Sequence, residues 1–536
     1  MRRTTNVSLE NTIRLLPALV LSLAACAEHA PNDSQPLGVA RQAAITDHWV
    51  GTWAASPQSD GTAFPDKTLR QVVHTSLGGS SVRIRLSNVF GNQPLSVDNA
   101  HIAERASGSS IVLATDHALK FGGQASVVVA AGQVAVSDAV AFDVKPLADL
   151  VVSFHLQNTT GPTTAHGTGL QDNYVANGNV AGDENLSGAQ TKGSYYFLTN
   201  VDVQNSAAWG AVVTLGASIT DGVASGGNNN RRWPNDLAKR LNDAKIPVGV
   251  LNQGISGNRL LADGNGDSAL KRFDRDVLSQ TGVRWVVFSD DPINDLGGGN
   301  PPTGAQLIDG LKQLVAKAHA AKIEFWCSTL TPYQGAGGWK PEGEIARAAL
   351  IAFIKSADSG CDAIVDQDGA THDPAKPTWY LPDYDAGDHL HPNEKGLQAI
   401  ADAVELKGFS APDDGGGSGG GGGGSGVAGA SANAGTATSG AGGSAAGATT
   451  GGAHADAGQA SGGANAAGTG GASTTPGAGS TQADTPPAAA SATDSGCGCR
   501  LADSPRPAPQ PLVWSLLGGA AAGFLRRKAA KKSLRG

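Results

Sequence analysis

From Trp49 to about Val203, apolar and polar positions tend to alternate. Val82-Arg83-Ile84-Arg85-Leu86 has a period of two, as expected of a strand with one face in a core and the other in solvent. Val-rich runs follow at 126–130 and 150–156, broken at short intervals by Gly, Asn, Asp and Pro. This pattern predicts two packed sheets, a sandwich or jelly roll, over residues 46–205. From Ala211 the period changes. Residues 211–215, 247–251, 284–288, 323–327 and 363–365 read as buried strands. Between and after them, 233–243, the stripe Leu307, Leu311, Leu314, Val315 and Ala318, then 345–354 and 394–406 read as helices. Alternating strand and helix predicts an α/β domain over 206–410, with a parallel sheet covered on both faces.

Neither pattern continues into residues 411–495. That stretch is mainly Gly, Ser, Ala and Thr, cannot bury a core, and is expected to be a disordered tether. The chain holds 74 Gly and only 5% aromatics, and this segment accounts for much of that bias. At the N-terminus, Arg2, Arg3 and Arg14 precede an apolar run, so residues 1–26 read as a signal peptide and 27–45 as a polar leader. The run ends Leu23-Ala24-Ala25-Cys26, which resembles a bacterial lipobox and makes Cys26 a lipidation candidate; the alternative is a plain signal peptide. Residues 496–536 combine Cys497 and Cys499, an apolar run and a basic end. They resemble a C-terminal surface-sorting signal, with a simple tail anchor as the alternative. Cys327 and Cys361 fall near opposite ends of two strands and are expected to be free buried thiols. A formal net charge of -8 argues against nucleic acid as a partner.

In open parallel sheets, ligands bind at the carboxyl ends of strands. Four polar segments fall there or late in the domain. Ser218 follows the first strand within Leu215-Gly216-Ala217-Ser218-Ile219-Thr220-Asp221-Gly222. It is either a nucleophile or an ordinary helix-capping serine. His391 can take a hydroxyl proton, and Asp388, three residues earlier, can orient its ring. His389 should point elsewhere. Gly254 offers a backbone N–H and Asn294 a side-chain amide for a developing oxyanion. No ligand spacing for a metal stands out, and this chemistry needs no cofactor.

On these residues, the stretch from about 206 to 410 resembles the SGNH hydrolase family, also called GDSL esterases and lipases. The resemblance implies a flavodoxin-like three-layer fold. It also implies a Ser218–His391–Asp388 triad, with an oxyanion hole formed by Ser218, Gly254 and Asn294. The β region before it resembles the sandwich domain preceding this domain in many secreted bacterial members. Two positions depart from the pattern: Ala217 replaces the usual aspartate, and Pro292 replaces a glycine. Pro292 is expected to displace the loop carrying Asn294, and Asp290 and Asp291 to disfavour an anion nearby. The expected activity is hydrolysis of short acyl esters, with acetylated carbohydrate or polysaccharide as substrate. The alternatives are a lipase or arylesterase, and a surface binding protein with weakened catalysis. Membrane attachment through lipid on Cys26 or the C-terminal segment, at the outer membrane or cell surface or released after processing, is the expected location. Oligomeric state is not legible.

Overall fold

Alternation in the first region produces antiparallel sheets. The computed structural model describes residues 48–412. One sheet runs in the order 49–54, 198–204, 79–87 and 140–144, with 134–136 also pairing with 79–87. A second, larger sheet runs 190–192, 173–177, 67–74, 149–156 and 95–107. Val82, Ile84 and Leu86 are fully buried between the sheets, while Arg83 and Arg85 lie on the opposite face, on Asp202 and Asn200, where Arg85 is also covered by Ser279 and Thr281 of the α/β region. A small third sheet, 195–196, 163–166 and 58–60, runs beside them. Its strand Thr163–His166 carries a residue that matters below.

The α/β region then opens with β1 (Gly210–Gly216), α1 (Ser218–Asp221), α2 (Trp233–Asp243) and β2 (Val248–Gly254). It continues with α3 (Ala269–Phe273), β3 (Val283–Phe288), α4 (Asp291–Leu296), α5 (Gly304–Ala320) and β4 (Glu324–Ser328). It closes with α6 (Pro341–Ile354), β5 (Ala363–Val365), α7 (Gln367–Thr371) and α8 (Glu394–Asp402). The five strands are all parallel, in the order β2-β1-β3-β4-β5. This is the flavodoxin-like doubly wound order, and its strand order reverses between β1 and β3. Leu307, Leu311, Leu314, Val315 and Ala318 form the buried stripe of α5, whose start is closed by a Thr303–Gln306 capping box. Asn393 caps α8 through the amides of Lys395 and Gly396.

The β-sandwich and the α/β region share one hydrophobic cluster, running from Val50 to Phe409. Strand Trp49–Ala54 lies against β2 so closely that a Cβ on Gly249 would collide with the Gly51 carbonyl. Glycine at 249 is therefore required by the approach of the two sheets. The expected signal peptide and leader, Cys26, nearly all of the linker, and the C-terminal segment lie outside the described residues.

One expectation is corrected. Cys327 and Cys361 are joined in a disulfide, with Cα atoms 5.7 Å apart. Cys361 precedes β5, and the Asp362 N–H bonds to the Phe325 carbonyl. That bond swings the incoming chain beside the middle of β4, not to its far end. Closing a loop of 34 residues removes denatured-state entropy. Cys361→Ser should therefore cost about 2–4 kcal/mol, read as a lower midpoint in urea.

Candidate active site

The site forms where the strand order reverses. β1 ends at Gly216, and Ser218 is the first residue of α1. A Cβ at Gly216 would strike Thr220 Oγ1 and the Asp290 carboxylate, so the turn closes only around glycine. Asp290 lies just beyond β3. Its carboxylate accepts from the amides of Ala217 (3.0 Å), Ile219 (2.8 Å) and Thr220 (3.3 Å), and from the Thr220 hydroxyl (2.6 Å). These bonds occupy the amides on both sides of Ser218 and leave its own N–H without a partner among the described residues.

The chain returns to this point before α8. His391 Nε2 lies 2.8 Å from Ser218 Oγ, and His391 Nδ1 lies 2.7 Å from Asp388 Oδ2. Asp388 Oδ1 also accepts from the backbone amides of Leu390 and His391. Burial works against the Asp388 charge, but the ring and the two amides outweigh it and hold the carboxyl well below the usual range. Asp388 therefore stays ionised wherever His391 can act as a base. Ser218 and His391 are both buried, at 8% and 3% exposure, which strengthens the contact between them. His389 turns away, with Nδ1 on Asp385 and its ring edge-on to Trp379.

Gly254 is not brought to the serine as a donor. Its N–H donates to Asn252 Oδ1 at 2.8 Å, and its missing Cβ makes room for the Asp221 backbone. The free amide lies three residues on, at Gly257. This residue has φ +79° and an N–H with no partner among the described residues. Asn294 donates one Nδ2 hydrogen to the Asn258 carbonyl at 2.8 Å, which ties its side chain to the turn carrying Gly257 and leaves the second hydrogen available.

Pro292 fits the local backbone. It falls in the first turn of α4, where its missing N–H has no helical partner to lose, and the segment 290–294 has no positive φ. The expected repulsion from Asp290 and Asp291 is likewise absorbed. Asp290 binds the amides around Ser218, and Asp291 pairs with Arg272 Nη2 at 3.1 Å. Arg272 is fully buried and also donates to the Gly216 and Gln253 carbonyls, at 2.9 and 2.6 Å. Sequence reasoning missed Asp290, Arg272 and Gly257. A carboxylate directly after a buried strand, and the second glycine of Gly254-Ile255-Ser256-Gly257, were the available signals.

Three acids near this frame have raised values, with burial as the main cause. Asp291 is pushed up to about 7, Asp295 to about 6, and Asp236 on α2 to about 6. Between the ordinary value of 3.8 and these raised ones, the folded chain holds protons that the unfolded chain has lost. Stability therefore rises as pH falls through that window. The thermal midpoint should be several degrees higher at about pH 5 than at about pH 8. Below about pH 4 the trend should reverse, because Asp276 and Asp388 are held below their ordinary value and lose stabilising charge there. A midpoint that rises steadily from pH 5 to 8 would contradict this assignment.

A hydroxyl, an imidazole and an ionised carboxylate thus meet in one place. Residues 214–399 match the model of the GDSL-like lipase/acylhydrolase family. Among solved structures, a lipolytic protein of the G-D-S-L family from Desulfitobacterium hafniense is 19% identical, covering 36% of this chain and 96% of its own, with a TM-score of 0.28. A lipase/acylhydrolase from Enterococcus faecalis is 19% identical over 36% of this chain and 92% of its own, with a TM-score of 0.30. An acetyl xylan esterase is 18% identical over 36% of this chain and 96% of its own, with a TM-score of 0.28. No curated protein matches the chain.

Proposed function

We propose that Ser218, His391 and Asp388 are a catalytic triad acting on short acyl esters such as acetylated carbohydrate, in residues 214–399, which match the GDSL-like lipase/acylhydrolase family of ester-hydrolysing enzymes. The observation that carries this reading is the unbroken relay from Ser218 Oγ through both nitrogens of His391 to Asp388. Ser218 Oγ attacks the ester carbonyl as His391 Nε2 takes its proton. Asp388 keeps Nδ1 as the donor nitrogen and stabilises the imidazolium. The oxyanion accepts from the Ser218 N–H, the Gly257 N–H and Asn294 Nδ2. His391 then protonates the departing alcohol, leaving an acyl-enzyme. Water attacks that acyl carbon as His391 takes its proton, and the imidazolium returns that proton to Ser218 Oγ as the acyl–Oγ bond breaks and the acid leaves.

The same reading places the enzyme outside the cytoplasm, attached to a membrane or cell surface. It rests on the residues ending at Cys26 and on the basic C-terminal end. A binding protein with lost catalysis has less support here, since Ala217 and Pro292 both have structural compensation. The test uses the full chain. A serine-directed phosphonate should label Ser218, as located by peptide mass spectrometry, and p-nitrophenyl acetate should be hydrolysed faster than longer acyl homologues. Labelling elsewhere would sink the triad. A preference for long chains would keep the triad and replace the substrate class.

A further inference from the structure

The β-sandwich reaches into the catalytic frame at one buried point. Strand Thr163–His166 ends in His166, which is 7% exposed as a residue and whose ring makes two polar contacts. Nδ1 lies 3.0 Å from the Ser56 carbonyl, and Nε2 lies 3.0 Å from Asp221 Oδ1. A carbonyl can only accept, so Nδ1 carries a hydrogen. Asp221 is the last residue of α1, the helix that Ser218 begins. Its other oxygen, Oδ2, accepts from the Ser256 N–H (2.8 Å) and hydroxyl (2.6 Å). Thr168, two residues beyond His166, donates to Ser256 Oγ at 3.1 Å. Ser256 immediately precedes Gly257.

We propose that His166 and Thr168 of the β-sandwich are positioning residues for ester hydrolysis, fixing the nucleophile helix and the Gly257 turn relative to each other through Asp221 and Ser256. This rests on the reading of Ser218 as the nucleophile. Asp221 links the two catalytic pieces, and the β-sandwich supplies the two groups that hold Asp221 and Ser256 in register. Removing either contact leaves the direct Asp221–Ser256 bonds as the remaining tie between α1 and the turn, without the outer support that fixes their angle. The hydroxyl and the oxyanion donors would then face the acyl carbon less accurately, which lowers the rate without abolishing it. The doubly donating, protonated ring fits this role best. Burial disfavours its charge, but Asp221 and the bond to Ser56 outweigh burial and raise the His166 value. The other groups facing the ring are Arg232, which opposes protonation, and Tyr195, whose ring centroid is 6.4 Å away. Behind Ser56 lie Asp276 and Arg272, both bonded to its hydroxyl. Because the folded value is raised, the latch is complete below the ordinary value of 6.5 and weakens as pH climbs through the raised value.

The experiment compares kcat and KM across pH for the full chain, His166→Gln and Thr168→Val. Cys361→Ser, which lies outside the His166–Asp221–Ser256–Thr168 hydrogen bonds, serves as a destabilised control. Wild type should show an alkaline fall in kcat. His166→Gln should lower kcat by up to about 10²-fold with KM little changed, and should lose that alkaline limb. Thr168→Val should lower kcat more modestly without altering the pH profile, and the control should keep the wild-type profile. A folded His166→Gln with wild-type kcat and profile overturns the proposal. If that variant does not fold, an unchanged kcat in Thr168→Val overturns it, and a lowered kcat supports it. Failure of the underlying reading looks different: wild type would not be labelled at Ser218, whatever the variants do.

Discussion

Ser218→Ala should lower ester hydrolysis by the full chain by on the order of 10⁵–10⁶-fold. The reasoning is local. The hydroxyl is the nearest nucleophile to His391 Nε2, and alanine leaves the rest of the frame untouched because Asp290 holds α1 through backbone amides and Thr220. Asp388→Asn should cost roughly 10⁴-fold in kcat with KM little changed. The introduced side chain would keep its carbonyl oxygen on the amides of Leu390 and His391, which can only donate. Its NH₂ would then face His391 Nδ1 and favour the tautomer with hydrogen on Nε2. That tautomer cannot accept the serine proton. Both variants should remain folded, since Asp388 is half exposed and Ser218 loses one oxygen. Initial rates on p-nitrophenyl acetate, with circular dichroism to verify folding, decide the matter. Wild-type rates in a folded Ser218→Ala would end the triad assignment.

The scaffold is legible in the sequence wherever burial alone dictates it. The period of two at Val82–Leu86 and the stripe on α5 each reappear in the fold with the expected face inward. By its apolar run, strand β2 should end near Leu251, yet Asn252, Gln253 and Gly254 continue it, paired with Thr214, Leu215 and Gly216. Polar residues extend that strand because a parallel neighbour fixes their backbone, and hydrophobic periodicity cannot register that. Ser218, Asp388 and His391 can be picked out because chemistry restricts which side chains fill such roles. Gly254 stands ahead of Gly257 in sequence alone, because donor capacity depends on where an N–H points, and only the fold shows that Asn252 occupies the first of them. Asp290 lies 73 residues from the turn it caps, and His166 comes from the β-sandwich. Contacts at that range leave no local pattern. The absence of an acid at 217 is visible in the sequence, whereas its replacement from the end of β3 is not.

Arg272→Met should be strongly destabilising, by about 3–5 kcal/mol. The guanidinium has no exposure and bonds two fully buried carboxylates, Asp291 at 3.1 Å and Asp276 at 3.2 Å. It also donates to Asn258 Oδ1, Ser56 Oγ and the carbonyls that end β1 and precede the end of β2. The two acids would suffer unequally. Asp276 keeps Arg275 on both of its oxygens. Asp291 has no second cation, and its Oδ2 already lacks a partner among the described residues. An ionised Asp291 would then be a buried, uncompensated charge, so its value, already about 7, must rise further. Two consequences separate this account from simple loss of packing. The deficit of Arg272→Met relative to wild type should shrink as pH falls from about 8 to about 5, because protonation removes the uncompensated charge. Adding Asp291→Asn should restore part of the loss at about pH 8 and little of it at about pH 5. Urea unfolding of the wild type, both single variants and the double variant at the two pH values measures each contribution. A deficit independent of pH, with the two substitutions additive, would show that Arg272 acts through volume and its carbonyl contacts and not through the charge of Asp291.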